Sequence, residues 1–137
     1  MSSLDGPRGT LLAAVLVGTG HALLVAGLTS WFGIGWHFDQ PGNYPIYAYT
    51  LGGMVLVGVT AAVTALRYRL VGPAVAAGTV LFSVVALTWP YVDELRAPGS
   101  EPIDVALFKY LLLWPVALGW VLLVGAVEYG VRTPAPN

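Results

Sequence analysis

Two histidines and seven acidic residues are the groups in this 137-residue chain best suited to relay a proton or hold an ion. His21 stands midway along an apolar run. His37 lies in Trp36-His37-Phe38-Asp39, and Asp93, Glu94, Glu101 and Asp104 share a second polar stretch. An imidazole among carboxylates could hold a hard divalent cation through oxygen ligands. The spacing follows no ligand motif, however, and acidic loops also serve solubility, so no metal site is expected. With no Cys, the chain has no disulfide, thiolate metal site, iron–sulfur cluster or cysteine nucleophile. Two histidines make a bis-histidine haem scaffold hard to build, and no cofactor is expected. Gly-x-Ser-x-Gly, His-Glu-x-x-His and phosphate-loop motifs are absent, so the sequence does not read as an enzyme.

The elements that must position these groups follow from composition. Hydrophobic residues make up 57% of the chain and charged residues 9%, with a mean hydropathy of +0.76. A soluble domain carries about 25% charged residues. Four apolar runs, at about 10–29, 46–66, 73–91 and 104–129, approach or exceed the ~20 residues needed to cross a bilayer as a helix. The expected fold is therefore an all-α integral membrane protein, a single domain of four transmembrane helices in an up-down bundle with short connections. Arg8 ahead of the first run resembles a signal-peptide start, but the run is longer than such an h-region and Asp5 dilutes the charge, so a span is expected. The net charge of −1, with no basic cluster beyond Arg67 and Arg69, excludes a nucleic-acid footprint. The partners implied are the lipid bilayer and other membrane subunits or copies of the chain.

Arg8, Arg67, Arg69 and Arg132 fall on one side of the predicted bundle, and Arg96 and Lys109 on the other, which places both termini in the cytoplasm. Arg outnumbering Lys five to one, in a chain dominated by Ala, Val, Gly and Leu, points to a prokaryotic plasma membrane. Most aromatic residues, Tyr110 among them, then read as a girdle at the outer interface. The pattern Pro-Gly-x-x-Pro-Ile occurs at Pro41 and again 57 residues later at Pro98, and Leu28-Thr29 is echoed by Leu87-Thr88. Two duplicated helical hairpins, 9–69 and 70–132, would explain this, with Asn43 and Ser100 as helix N-caps.

Packing faces can be read from small residues. Ala14, Gly18, Ala22 and Ala26 form a stripe on the first span, and Gly58 and Ala62 one on the second, letting helices approach closely. Pro115 removes an N–H from the fourth span and predicts a kink. His21 shares the hemisphere of Gly18 and Ala22. An ionisable group at that depth serves as a relay or ligand, or as a neutral imidazole hydrogen-bonded between helices. The lack of other intramembrane charge favours the second reading, with Thr19, Thr29, Thr60, Thr64, Thr79 and Ser83 as candidate partners. The expected function is a non-catalytic accessory or structural membrane subunit. The alternatives are a small transporter or channel using His21, and a membrane enzyme or outer-face metal binder using His37 and Asp39.

Overall fold

Hydrocarbon offers backbone N–H and C=O groups no partners, so a long apolar run closes its hydrogen bonds internally as a helix. The computed structural model describes residues 6–38, 40–99 and 105–133, and among them every regular element is helical. The elements are α1 (Pro7–Trp31), a 3₁₀ turn (Pro41–Asn43) running into α2 (Tyr44–Tyr68), α3 (Gly72–Thr88), a second 3₁₀ turn (Trp89–Tyr91), α4 (Val92–Arg96), α5 (Ala106–Leu112) and α6 (Trp114–Arg132). Four segments are long and apolar enough to cross a membrane: Pro7–Trp31, Pro41–Tyr68, Gly72–Arg96 and Trp114–Arg132. They alternate in direction. The near face holds the start of α1, the α2–α3 turn and the end of α6; the far face holds the end of α1, α4 and the start of α5.

The packing is uneven. α2 touches α1, α3 and α6, whereas α1 packs chiefly on α2. That contact is made by small residues. On α1 the inward positions include Ala14, Gly18, Ala22, Val25 and Thr29, while Ala26 is only partly covered. On α2 they include Gly58 and Ala62. A Cβ on Gly58 would lie 2.8 Å from the Gly18 Cα, and one on Gly18 would lie 2.6 Å from the Val55 carbonyl oxygen. These are backbone atoms that cannot swing aside. Gly53, on another face of α2, makes the same kind of room for the Trp114 ring of α6.

The fourth apolar run departs from the single span expected over 104–129. The described part is two helices separated at Leu113 (φ −99°, ψ 22°), so Pro115 lies in the first turn of α6 and does not kink a continuous helix. The reason is local. Pro115 has no N–H to return to Leu111, and a proline fits best where a helix begins. The Val116 N–H then bonds the Leu113 carbonyl at 2.9 Å, starting α6 afresh. The Tyr49 hydroxyl donates to the carbonyl of Leu112 at 3.1 Å, satisfying one of the groups exposed by the break.

Helix ends elsewhere are completed by side chains from distant helices. Glu128 of α6 accepts the N–H of Val71 at 3.2 Å and of Gly72 at 2.7 Å, placing a carboxylate at the positive end of the α3 dipole. Arg132 pairs with Glu128 and donates to the Arg69 carbonyl at 2.8 Å, tying down a residue at φ 54°. At the far face Arg96 donates from Nε and Nη2 to the Trp31 carbonyl at 3.1 and 2.7 Å, a cation at the negative end of α1. Its guanidinium also lies 4.4 Å from the Trp31 ring centroid. Gly33 (φ 89°) lets the chain turn beneath α4, where a Cβ would be 2.8 Å from the Leu95 carbonyl oxygen.

Two outcomes test this packing by thermal unfolding in detergent. Gly18→Ala is expected to lower stability by about 1–3 kcal/mol through overpacking, whereas Gly20→Ala, whose Cβ meets nothing within 4 Å, leaves the midpoint unchanged or raises it slightly. Glu128→Ala should cost about 1–2 kcal/mol through the lost helix cap. Glu128→Gln should cost less, because its amide oxygen can still accept one of the two N–H groups.

Candidate functional site

The site is built from the helix ends inward. Thr88, fully buried at the end of α3, donates to the Val84 carbonyl at 2.8 Å and accepts the Leu107 N–H at 3.0 Å. That second bond satisfies a first-turn donor of α5, which has no cap of its own. Leu107 is itself fully buried. Together they fix the height of α5, and Tyr110, three residues on, then points into the bundle.

Tyr110 is 5% exposed, not part of an outer aromatic girdle. Its hydroxyl lies 3.2 Å from Nε2 of His21. The partner is thus none of the threonines or the serine expected from the sequence; Thr29 and Thr64 instead bond carbonyls within their own helices. A neutral imidazole can accept from the phenol or donate to it, so the pair is satisfied in either tautomer. The imidazole reaches across because α2 is narrow there: a Cβ on Gly58 would fall 2.9 Å from the His21 Cβ. The contact joins the middle of α1 to the second half of the chain, as Arg96 joins its end.

The other candidate residues are placed differently. His37 is exposed, and its backbone N–H donates to the Tyr47 hydroxyl at 2.8 Å. Trp36, Phe38 and Tyr47 form an aromatic cluster around it, with centroids 5.1–6.2 Å apart. Asp39, Ser100, Glu101 and Asp104 lie outside the described residues, and Asp93 and Glu94 are exposed on α4. Among the described residues no group of three or more His, Asp or Glu side chains comes within reach of a common metal ion. Asn43 makes no side-chain cap on α2, because its backbone is already helical (φ −87°, ψ −13°); its amide N–H donates to Gln40 and Tyr47.

Glu128 and Arg132, four residues apart, pair as that spacing predicts, but several contacts between distant residues were not readable from the sequence. Tyr110, Thr88, Arg96 and Glu128 act on partners 19 or more residues away. One signal was available for Glu128: an acid near the end of the last span lies level with the N-terminus of α3. The indole N–H of Trp114 is the one buried side-chain polar atom without a partner among the described residues. Two open hollows on the α3–α6 side are lined mostly by apolar side chains.

No protein-family model matches the chain, and comparison with curated proteins and with solved structures gave no match.

A double-mutant cycle measures the pair. His21→Phe and Tyr110→Phe should each lower stability by about 1 kcal/mol, the typical scale for a hydrogen bond between membrane helices. The double variant should lose less than the sum of the two. Strict additivity would show that the two groups are not energetically coupled.

Proposed function

We propose that the chain is a non-catalytic integral membrane subunit, an accessory or structural component of a larger membrane assembly. The observation that carries this reading is the state of the polar contact at His21, midway along α1. His21 and Tyr110 satisfy each other, beside a seam in which Gly18 and Gly58 leave no room for a side chain. A conduit needs a continuous polar path, whereas the two hollows along α3 and α6 are open and lined mostly by apolar side chains. The exposed faces of the spans carry large apolar residues such as Leu16, Leu23 and Phe82, suited to lipid or to helices of a partner.

In this reading the near face is cytoplasmic, supported by Arg8, Arg67, Arg69 and Arg132 there. The membrane is the plasma membrane of a prokaryote, supported by the composition alone. The two halves are read as duplicated hairpins. Besides the Pro-Gly repeat, this is supported by Thr29 and Thr88: both are fully buried, donate to their own helix and accept an outside N–H, from the Trp36 indole at 3.0 Å and from Leu107.

Purification of the tagged protein from its native membrane in mild detergent should bring down a stoichiometric protein partner, identified by mass spectrometry. A homogeneous preparation that carries a proton flux in liposomes, abolished by His21→Ala, would replace this reading with that of a small transporter.

A further inference from the structure

We infer that the near-face groove between α2 and α6 binds an anionic phospholipid, its phosphate held by Arg67 and Arg69 and one acyl chain lying beneath them. An open hollow there is lined by Thr64, Leu122, Gly125 and Ala126. Tyr68 and Tyr129 stand at its near-face end, their ring centroids 6.4 Å apart. Tyr68 is the last residue of α2, and Arg67 and Arg69 flank it in sequence. Among the described residues the side chains of Arg67 and Arg69 have no ion-pair or hydrogen-bond partner, and neither do the two phenol hydroxyls.

Charge selects the head of the occupant. The near face carries Arg8, Arg67, Arg69 and Arg132 against Glu128 alone among the described residues, and the Glu128 carboxylate is taken by Arg132 and by the N–H groups of Val71 and Gly72. Arg67 and Arg69 are left without a counter-charge. Arg69 keeps its charge on a left-handed backbone (φ 54°), where glycine would sit without strain. A guanidinium offers phosphate oxygens a planar fork of donors, and a phenol hydroxyl can donate to them as well. A second copy of the chain would bring the same excess of arginine and be repelled.

Depth selects the tail. Seven residues separate Leu122 from Tyr129, about 10 Å of helix, so the hollow stays within one leaflet of a hydrocarbon core about 30 Å thick. It begins at aromatic residues suited to the headgroup level and continues between apolar walls. An acidic segment of a partner protein would use the arginines and leave the hollow beneath them unfilled, whereas a phospholipid uses both. The inference goes beyond the subunit reading and holds whichever compartment the near face looks into.

The test is native mass spectrometry of the full chain released from detergent micelles and titrated with phosphatidylglycerol or with phosphatidylcholine of the same acyl chains. One arginine beside an anionic headgroup is worth about fivefold in affinity, so phosphatidylglycerol should bind about 25-fold tighter. Arg67→Gln and Arg69→Gly should each reduce the preference to about fivefold, and Arg67→Lys should keep it. Ala126→Phe, which fills the hollow and leaves every charge in place, should weaken phosphatidylglycerol to the level of phosphatidylcholine. Soluble glycerol phosphate should not compete. Circular dichroism verifies that each variant is folded. Equal affinity for the two lipids in the wild type would overturn the proposal. So would a preference that survives Ala126→Phe, the mark of diffuse attraction to the whole face, or competition by glycerol phosphate, the mark of an anion site that takes no chain. A co-purifying acidic protein that must be removed before the lipid binds would overturn it in favour of a protein interface.

Discussion

Every helix end leaves backbone N–H or C=O groups without partners, and in hydrocarbon no water is at hand to take them. This constraint organises the molecule. The first turn of α3 is completed by Glu128, that of α5 by Thr88, the last carbonyl of α1 by Arg96, and a carbonyl at the α5–α6 break by Tyr49. Each of these side chains belongs to a different helix from the end it completes. Caps that a soluble protein draws from the adjoining residue are here drawn from across the bundle, so closing the backbone and assembling the helices are one event.

The same constraint explains why α1, which packs chiefly on α2, is still held in register with the second half. A seam of small residues fixes separation but resists sliding only weakly. Arg96 at the end of α1 and Tyr110 halfway along it supply directional contacts at two heights. The stacked rings of Trp31 and Trp89, 5.2 Å apart, add contact at the upper height.

The apolar runs made the four spans readable, because their length and lack of charge leave few alternatives. The stripe through Ala14, Gly18 and Ala22 was readable too, since four-residue spacing maps directly onto one helix face. What the sequence hid was pairing at long range. His21 announces a need for a partner, yet nothing in the order of residues brings Tyr110 to it, because that depends on where α5 begins, and α5 begins where Thr88 holds Leu107. Pro115 is ambiguous for a related reason. The same residue bends a continuous helix or opens a new one; here it opens one, with the Trp114 ring seated against Gly53 of α2, a long-range contact that residue order does not announce. Asn43 has the chemistry of a cap, but its backbone is already helical (φ −87°, ψ −13°), continuing the 3₁₀ turn, so its side-chain oxygen does not take up a first-turn N–H.

The distant caps also order events in time. As the chain is made, α1 and α2 emerge first and can close their glycine seam as a hairpin. The end of α1 then waits for Arg96, 65 residues downstream of Trp31, and the start of α3 waits for Glu128, 56 residues beyond Gly72. Until α6 inserts, the Val71 and Gly72 N–H groups lack the Glu128 carboxylate, and the turn at Arg69 is held by the bond from the Leu70 N–H to the Thr64 carbonyl. The third span is thus a provisional guest in the bilayer, and the last turns of α6 act as the latch that commits the fold.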